Sequence, residues 1–512
     1  MTVLFVAVQF DRGLNMNILE RIEKYKDSET IAMVHNEQSI TYKYLWQSSN
    51  RLANYLQQTL KEDKNPLVVY GHKDPFMLIC FLACVKSGRA YCPVDITVPM
   101  TRVQSIIESV NGQMVLMVEG ELEAGTMLTR TKMEEIIKDT SYQSNHLKYV
   151  KENDVYYIIF TSGSTGNPKG VQITTSNLSC FVDWALSLKQ EDQKVFINQA
   201  PFSFDLSVMD LYMSLGSGST LWALDKEIQK SYNEMFVSLE KSKANVWVST
   251  PSFVDLCLVD KKFNQEMMPT LELFLFCGET LTNKTVELLH QRFPKAKVYN
   301  TYGPTESTVA ITEIEVTQDV LNTYNPLPVG KTKPGTWIKI MQEGLDVVEG
   351  QTGEIIIVGN TVSSGYYKNK ENTEKSFFTM AIDGITYPAY RAGDRGYVKK
   401  NQLFYKGRID LQIKLHGYRM EIEDIEKNIL KVKEIKSIVV LPNVEDEKVK
   451  SLTAYCVYEG DTSSRLKTTQ IIKQQLRELI PEYMIPKKFI FIDHMPTTNN
   501  GKVDRKKLME TV

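Results

Sequence analysis

The sequence has few of the features that mark a secreted, membrane-spanning or nucleic-acid-binding protein. Its seven cysteines are an odd number without C-x-x-C spacing, which argues against a disulfide framework and a structural zinc site. No apolar run approaches the roughly 18 residues of a membrane span. Lys and Arg number 60 and Asp and Glu 62, so neither a basic nucleic-acid footprint nor a charge bias toward lipid is present. We expect a reducing, cytoplasmic compartment.

The length of the chain predicts more than one domain. At 512 residues it exceeds the size at which a single hydrophobic core usually stops growing. Its 42% apolar and 24% charged residues are typical of a globular protein. The apolar stretch 3–8 is short for a signal peptide, and no Lys or Arg precedes it. We interpret residues 1–15 as a disordered extension, with Met16 as an alternative start.

Strand-like and helical stretches alternate in a way that predicts an α/β architecture. An apolar helical face follows a candidate N-cap at Thr41, and an apolar helix is predicted from Phe76 to Ser87. Buried strands separated by helix-length segments predict large sheets with helices on their faces. These strands are expected at 65–72, 155–160, 245–250 and 271–277.

The pattern changes twice toward the C-terminus. From GEIIIVG (353–359) onward, Gly, Asn and Asp punctuate the strands, which favours a smaller and more antiparallel unit. Beyond residue 409 the sequence predicts a compact α+β tail of about a hundred residues, a normal domain size. We expect one domain at 16–409 and a second at 410–512. The second contains helices around 421–432 and 470–480 and strands at 437–442 and 452–458.

A loop of hydroxyls, glycines and one lysine follows the strand at 155–160. It reads TSGSTGNPKG (161–170), and its glycines allow a sharp turn with inward-pointing N–H groups. With the hydroxyls and the Lys169 ammonium, these groups suit phosphate oxygens. The spacing fits neither the Walker loop, because Pro168 stands where that loop needs glycine, nor G-x-G-x-x-G. A flexible Ser/Gly linker is the alternative interpretation.

A second cluster, NTYGPTEST (300–308), again ends a strand-like stretch in a turn. It offers an aromatic face at Tyr302, hydroxyls at Thr301 and Thr305, and a carboxylate at Glu306. These groups suit an adenine ring and a magnesium ion. On the motif alone, a simple turn explains the stretch as well.

Two later stretches add an acid and a lysine. YRAGDRG (390–396) places Asp394 behind a glycine, at the entrance to a predicted hairpin, where a carboxylate can accept both ribose hydroxyls. The alternative is a turn aspartate that satisfies its own backbone. NNGKVDRKKL (499–508) places Lys502 in a tight turn. A charge run is normally a solvated face, but the N-G-K turn suggests a directed lysine.

These four stretches, in this order and together with GRIDLQIKLHGYRMEIEDIE (407–426), resemble the adenylate-forming superfamily of acyl-CoA synthetases, peptide-synthetase adenylation domains and luciferases. The resemblance covers residues 17–510 and implies a large multi-sheet α/β N-terminal domain with a small mobile α+β C-terminal domain. It also implies two steps. A carboxylate attacks the α-phosphate of ATP to give an acyl-adenylate and pyrophosphate, and a thiol then displaces AMP to give a thioester.

The resemblance assigns expected roles to individual residues. Lys502 bridges the attacking carboxylate and the α-phosphate, Glu306 ligates magnesium, and Asp394 holds the ribose. Asp410 is the hinge of the small domain, and Gly417 lies on the pantetheine side after the domain swings. The remaining nucleotide contacts are expected from the pyrophosphate-holding Thr161, Ser162 and Lys169, from Asn300, Thr301, Tyr302, Gly303, Pro304 and Thr305 at the adenine, and from Tyr405, Lys406, Gly407 and Arg408 near the ribose.

Within the superfamily, the closest likeness is to the ligases that load D-alanine onto a phosphopantetheinyl carrier protein. By this resemblance Asp205 pairs with the substrate ammonium, Cys277 favours the D over the L methyl orientation, and Val309 lines the alanine pocket. A buried cysteine that ends a core strand is the alternative for Cys277. The likeness lies in VYGHKDPFMLICFLACVKSGRAYCPVD (69–95), FSFDLSVMDLY (202–212), LFCGETL (275–281) and KLHGYRMEIEDIE (414–426).

One departure and several alternatives remain. The usual T-G-D of the superfamily is Ala392-Gly393-Asp394 here, so we expect weaker hydrogen bonding beside the ribose. An adenylation enzyme for another small amino acid and a short-chain acyl-CoA synthetase are alternative functions, and Asp205 argues against the second. A non-catalytic nucleotide-binding protein is less favoured because Lys502, Glu306 and Asp394 are all present. The D-alanine reading implies a product on teichoic acids.

Overall fold

A computed structural model describes most of the chain and divides it into two compact units. The described residues are 16–122, 125–142, 147–163, 168–189, 193–415, 417–445, 448–460, 464–496 and 503–509, without the side chains of 506 and 509. The first unit contains residues up to Ile96, Ser109–Ile159 and Gly170–Ile409; the second contains Thr97–Glu108, Phe160–Lys169 and the chain from Asp410. The extension expected at 1–15 and the predicted Lys502 turn lie outside the described residues.

A nine-stranded sheet forms the larger layer of the first unit. Its six central strands are parallel, and three antiparallel strands lie at its two edges. In spatial order, the strands are Lys331–Thr332, Thr312–Glu315, Lys297–Tyr302, Leu273–Phe276, Val246–Ser249, Val195–Asn198, Thr220–Ala223, Ile31–His35 and Gln38–Thr41. The strands predicted at 245–250 and 271–277 are confirmed, shortened at both ends.

A second sheet of the same unit has six strands. In spatial order they are Met127–Thr129, Val115–Met117, Leu67–Tyr70, Tyr91–Val94, Val155–Thr161 and Lys169–Thr174. All four residues of Leu67–Tyr70 are buried, as expected for a parallel strand covered on both faces. The strand predicted at 155–160 is confirmed and extends by one residue, so it delivers the chain directly into the hydroxyl-rich loop.

The helices of the first unit follow from apolar patterning and side-chain caps. Thr41 caps the helix Tyr42–Leu60, and its hydroxyl accepts a 3.2 Å hydrogen bond from the Tyr44 N–H. The helix predicted from Phe76 is confirmed, and every one of its residues is buried. The α-helices up to residue 376 are Ile18–Glu23, Tyr42–Leu60, Phe76–Lys86, Met100–Val110, Arg130–Lys138, Thr175–Ser187, Leu206–Gly216, Lys226–Lys230, Tyr232–Ser242, Pro251–Leu258, Asn283–Arg292, Gln318–Thr323 and Lys370–Ser376, with 3₁₀ turns at Thr140–Tyr142 and Thr305–Ser307.

A wholly antiparallel sheet completes the first unit, as the Gly- and Asn-punctuated strands predicted. Its strands are Leu345–Asp346, Thr336–Gln342, Gly353–Gly359, Phe377–Ile382, Ile385–Lys399 and Gln402–Arg408. The hairpin entrance expected at Asp394 is confirmed. Asp394 pairs with Arg408 at the open end of the hairpin that Ile385–Lys399 and Gln402–Arg408 form, and the turn of this hairpin is at Lys400 and Asn401. Asp394 lies inside the long strand, next to a register shift in its pairing with Gly353–Gly359.

The second unit is a small α+β fold with its own core. Its strands are Gln412–Leu415, Tyr418–Glu421, Ile435–Glu445, Lys448–Tyr458 and Lys488–Phe491. Its helices after Asp410 are Ile422–Ile429, Arg465–Arg477 and Arg505–Met509, with a 3₁₀ turn at Glu482–Met484. Apolar side chains of the first two helices join those of the sheet in one buried cluster. Each predicted helix and strand of the tail is present with shifted ends. In the described part of the chain, no helix has the length and apolar character needed to cross a membrane.

Candidate active site

The candidate site begins at the carboxyl ends of two neighbouring parallel strands. Leu273–Phe276 and Lys297–Tyr302 pair in parallel, and the Thr301 hydroxyl donates to the Phe276 carbonyl at 2.8 Å. Ligands of open α/β sheets bind beyond such strand ends. After the second strand the backbone turns so tightly that a Cβ on Gly303 would lie 2.6 Å from the Ala310 Cα. Glycine is therefore required at this turn.

Three hydrogen-bonded side chains, the buried Tyr302 and Asp394 and the partly buried Arg408, form what we call the nucleotide end, after the role that the sequence predicts for them. The Tyr302 hydroxyl donates to Asp394 Oδ2 at 2.5 Å, and Arg408 Nη1 donates to Asp394 Oδ1 at 3.0 Å. Arg408 Nη1 also donates to the Ala392 carbonyl at 2.7 Å. Asp394 is only 4% exposed. Burial and the neighbouring Asp394 carboxylate raise the pKa of Tyr302 well above its usual value, so this phenol stays protonated and donates.

Other residues expected around the nucleotide have structural partners of their own. Asn300 Nδ2 donates to the Pro328 carbonyl at 2.8 Å, so its side chain fixes the loop beyond the sheet. Ala392, the departure from T-G-D, is buried in an apolar cluster with Tyr302. The Tyr405 ring lies 5.9 Å from the Tyr302 ring, centroid to centroid, and joins that cluster from its edge.

Two further predicted residues lie in the strand Gln402–Arg408 and differ in exposure and backbone conformation. Lys406 is exposed and its Nζ lies 5.7 Å from the centre of the Tyr397 ring. Gly407 has φ +98°, a left-handed backbone conformation that L side chains rarely adopt. The strand is therefore free to bend just before Arg408 reaches Asp394.

The residues that we call the amino-acid end are Asp205, Thr305, Cys277 and Val309. Asp205 precedes the helix Leu206–Gly216, is partly buried, and accepts a 2.6 Å hydrogen bond at Oδ2 from the Thr305 hydroxyl. Thr305 itself follows Pro304 in a 3₁₀ turn at the end of the glycine turn. The two stretches that the sequence separates by a hundred positions thus meet through one side-chain hydrogen bond.

Strained backbone brings Val309 against Cys277. Thr308 and Val309 both have positive φ, 63° and 66°, an unfavourable conformation for β-branched residues. The Thr308 hydroxyl donates to the Thr361 carbonyl at 2.8 Å, which helps to hold this turn. The Cys277 thiol lies 3.7 Å from the Val309 carbonyl oxygen, and both residues are buried. Strain retained at such a position is typical of ligand-binding sites.

Glu306 has the character expected of a metal-binding carboxylate. It is fully buried, and its Oε1 accepts a 2.8 Å hydrogen bond from the Tyr366 hydroxyl. Among the described residues, no cluster of three or more His, Cys, Asp or Glu side chains could hold a metal ion. Mg²⁺ in nucleotide sites is commonly held by one or two carboxylates together with substrate phosphates and water. A single hard oxygen donor such as Glu306 fits that mode.

The hydroxyl-rich loop is described only at its two ends. Thr161 ends its strand, and its hydroxyl lies 3.5 Å from the Lys169 carbonyl oxygen, across the loop. Ser162 is buried and Lys169 is partly buried at the start of the next strand. The loop ends therefore lie close together, as a phosphate-binding turn requires, while residues 164–167 lie outside the described part.

In the second unit, two predicted residues lie at turns. Asp410 Oδ1 accepts a hydrogen bond from the Gln412 N–H at 3.2 Å, and Asp410 is the first residue of the unit's last segment. Gly417 has φ +82°, in the turn between Gln412–Leu415 and Tyr418–Glu421. Lys502 is outside the described residues, but three residues later Arg505 Nη2 makes bonds of 2.8 and 2.9 Å to both carboxylate oxygens of Glu426.

Comparison with known proteins decides the family. The family model described as AMP-binding enzyme matches residues 20–367, and that of the AMP-binding enzyme C-terminal domain matches residues 424–502. The chain belongs to the AMP-binding enzyme family.

Relatives of this family match the chain from end to end. A protein of Bacillus licheniformis named D-alanine--D-alanyl carrier protein ligase is 47% identical over 504 residues, which are 97% of this chain and 100% of the relative. One of the same name from Bacillus cytotoxicus is 46% identical over 507 residues, with the same coverage.

Solved structures share the fold at lower identity. An NRPS protein with adenylation and PCP domains, bound to a vinylsulfonamide inhibitor, has a TM-score of 0.80 at 23% identity and covers 97% of this chain and 84% of its own. The Vibrio cholerae adenylation domain AlmE, in complex with glycyl-adenosine-5'-phosphate, has a TM-score of 0.79 at 21% identity and covers 99% of both chains. The multi-sheet fold with a small C-terminal domain is therefore that of adenylation enzymes.

For this AMP-binding enzyme, sequence reasoning missed two residues that the structure joins to the site. The Tyr366 hydroxyl donates to Glu306 although sixty positions separate the two residues. The sequence signal near Tyr366 is the short stretch Gly-Tyr-Tyr at 365–367, which does not point to Glu306. Lys73 is completely buried and contacts the loop that leads to Asp205. The stretch GHKDP, in which Lys73 precedes an aspartate, is typical of a solvent-exposed turn, so the local sequence does not indicate that Lys73 is buried.

Proposed function

We propose that the protein activates D-alanine as D-alanyl-adenylate at the expense of ATP and transfers it to the phosphopantetheine thiol of a D-alanyl carrier protein. The D-alanine is destined for (lipo)teichoic acid. The observation that carries this proposal is the full-length match, at 46–47% identity, to ligases of that name. The alternatives, another small amino acid or a short-chain acyl-CoA, have no comparable support.

In the first step, a carboxylate oxygen of D-alanine bonds to the α-phosphorus of ATP while the bond to pyrophosphate breaks. Both reactants are anionic, so positive charge must lie where negative charge accumulates. Lys502 supplies that charge between the carboxylate and the α-phosphate. Thr161, Ser162 and Lys169 hold the departing pyrophosphate, and the converging loop ends support this role.

Residues of the nucleotide end hold the nucleoside. In this proposal the buried Asp394 carboxylate accepts the ribose hydroxyls, and its bonds to Tyr302 and Arg408 support the role by fixing its orientation. Residues 300–305 provide the adenine surface. Glu306 would hold Mg²⁺, and the adjacent Tyr366 hydroxyl would fix the orientation of the carboxylate. The ion would supply positive charge against the phosphate oxygens.

Residues of the amino-acid end choose the acid. Asp205 pairs with the substrate ammonium, a contact that an acyl-CoA synthetase pocket does not need. The Thr305 hydroxyl donates to Asp205 Oδ2 and so orients the carboxylate. Cys277 and Val309, in contact at 3.7 Å, form the small wall against the methyl group and favour the D isomer.

In the second step, the carrier thiol attacks the acyl carbon and AMP leaves, so a thioester forms. We propose that the small domain turns about Asp410, which removes Lys502 and brings the Gly417 turn to the pantetheine arm. The turn geometry at Gly417, with positive φ, suits a close approach of backbone to a narrow ligand.

The test is carrier loading by the wild type and by Lys502→Ala. With ATP, D-alanine and phosphopantetheinylated carrier, the wild type should give D-alanyl carrier, detected by mass spectrometry. Loss of the bridging charge should slow loading about a hundredfold to a thousandfold. ATP affinity, measured by calorimetry, should stay within about twofold because the pocket for the base and ribose is intact. The proposal is contradicted by a wild type that loads no carrier, or by unchanged loading in the variant.

A further inference from the structure

A fully buried lysine clamps the backbone that leads to the amino-acid end. Lys73 Nζ lies 2.8 Å from the Asn198 carbonyl oxygen, 3.1 Å from that of Gln199 and 2.9 Å from that of Ala200. Its exposed fraction is 0%. Three successive carbonyl groups thus converge on one ammonium just beyond the carboxyl end of a central parallel strand. Such an arrangement fixes the path of the chain at that point.

The clamp continues through an amide to a buried carboxylate. Lys73 Nζ also donates to Asn198 Oδ1 at 2.5 Å, while Asn198 Nδ2 donates to Asp210 Oδ1 at 2.9 Å. The Asn198 amide therefore directs its oxygen toward the Lys73 ammonium and its N–H group toward the Asp210 carboxylate. Asp210 is fully buried in the helix Leu206–Gly216, whose N-cap is Asp205.

The two ends of the clamp, at residues 198–200 and at Asp210, enclose a short segment that contains Asp205. Asn198 to Ala200 are held by the Lys73 ammonium on one side, and the first helical turns are held through Asp210 on the other. Between them, the Phe204 N–H donates to the Pro201 carbonyl at 2.9 Å, a local turn that the clamp supports. A displacement of either end moves the Asp205 carboxylate relative to Thr305.

We propose that Lys73 is a positioning residue for amino-acid recognition: through Asn198 and Asp210 it holds Asp205 where the carboxylate meets the substrate ammonium. The inference rests on the proposed function, in which Asp205 binds that ammonium. Lys73 does not itself touch the substrate. It acts on the affinity for the amino acid and leaves the nucleotide end unaffected.

The electrostatics of the clamp are consistent with this role. Burial lowers the pKa of Lys73 to about 7, and the Asp210, Asp95 and Asp225 carboxylates oppose that shift. Burial raises the pKa of Asp210, and Lys73 and the Asn198 amide oppose it. Burial disfavours the charged form of both Lys73 and Asp210, and each charge favours the other. Removal of one therefore leaves the other buried with less compensation.

The experiment compares Lys73→Met with the wild type in D-alanine-dependent ATP–pyrophosphate exchange. Loss of the ammonium should raise KM for D-alanine about tenfold or more, while KM for ATP stays within about twofold. In an Asp205→Asn background, Lys73→Met should add less than about twofold to KM for D-alanine, because both substitutions act on the same contact. Thermal unfolding of each variant measures the accompanying loss of stability.

Lys86→Met is the matched control. Lys86 is also fully buried, and its Nζ contacts the Ser49 hydroxyl and the Asn50 amide oxygen at 2.8 Å, with no bond to residues 198–200. This variant should lose stability as well but should leave the ratio of the two KM values unchanged. The inference is overturned if Lys73→Met and Lys86→Met alter that ratio equally, or if neither alters it.

A second variant decides the question if Lys73→Met does not fold. Asp210→Asn keeps the clamp on the carbonyl groups and removes only the charge at its far end. It should raise KM for D-alanine by a smaller factor, about threefold, without changing KM for ATP; no change in KM for D-alanine overturns the inference. Failure of the proposed function is a separate result, in which the wild type shows no exchange with D-alanine. The same comparison is then made with the amino acid that supports exchange.

Discussion

The nucleotide end and the amino-acid end of the site are built in different ways. At the nucleotide end, the Asp394 carboxylate bonds to the Tyr302 phenol and to the Arg408 guanidinium. Asp394 and Arg408 lie on paired strands of the antiparallel sheet, and Tyr302 ends a strand of the nine-stranded sheet. At the amino-acid end, Asp205 lies before a helix and Val309 has a strained backbone, with φ +66°. One end is fixed by side-chain pairing in regular structure, and the other by backbone turns and a remote clamp.

The difference indicates where each end can vary. In the proposed function, the mutually compensating charges of the nucleotide end bind a constant ligand, the nucleoside. The position of Asp205 depends on residues several positions away, which suits the part of the substrate that differs from one amino acid to another. We therefore expect a substitution at one end to change mainly KM for ATP and a substitution at the other end to change mainly KM for D-alanine.

Asp205→Asn should have the larger effect. The variant loses a charge-assisted contact of about 1.5–3 kcal/mol, so KM for D-alanine should rise about 10- to 100-fold in the exchange assay. KM for ATP should rise much less, because Asp205 lies outside the trio of Tyr302, Asp394 and Arg408 and meets the proposed adenine surface at the Thr305 hydroxyl. This outcome would support separate roles for the two ends, one for the amino acid and one for ATP.

Asp255→Asn is the control for this prediction. Asp255 is also partly buried and accepts a 2.7 Å hydrogen bond from a threonine hydroxyl, that of Thr285. Its replacement should leave both KM values within about twofold. If Asp205→Asn raised KM for ATP as strongly as KM for D-alanine, the division into two ends would be wrong.

Asp394→Asn should have the smaller effect, and on the other substrate. The ribose loses an ionised acceptor and Arg408 loses its buried partner, so KM for ATP should rise about tenfold with KM for D-alanine unchanged. Kinetics at varied ATP check this. Glu354→Gln is the control: it removes the ion pair with Arg391 in the same sheet and should change neither KM for ATP nor KM for D-alanine. A selective rise in KM for D-alanine in Asp394→Asn would contradict the assignment.

Sequence reasoning reached the elements that have strong local signals. The apolar run at 353–359 predicted its strand to the residue, and Thr41 was identified as a cap because a hydroxyl before an apolar-periodic segment has one common use. The expected nucleotide residues Tyr302, Asp394 and Arg408 prove to be hydrogen-bonded to one another. Their nucleotide-binding role remains a prediction.

Features that depend on distant contacts were beyond the sequence. The hairpin entrance at Asp394 was predicted, but the register shift beside it, where pairing with Gly353–Gly359 passes from Arg391 to Arg395, depends on the neighbouring strand. The positive φ of Val309 and the burial of Lys73 have no local signature, since each is imposed by neighbours far along the chain. Asp205 and Asp210 share one stretch, yet only tertiary structure separates the partly exposed carboxylate from the fully buried one.

The most direct test of the central claim is ATP–pyrophosphate exchange by the wild type with D-alanine, L-alanine, glycine and acetate side by side. We expect the highest kcat/KM for D-alanine, lower values for L-alanine and glycine, and the lowest for acetate, which has no ammonium for Asp205. Exchange with acetate equal to that with D-alanine would contradict it.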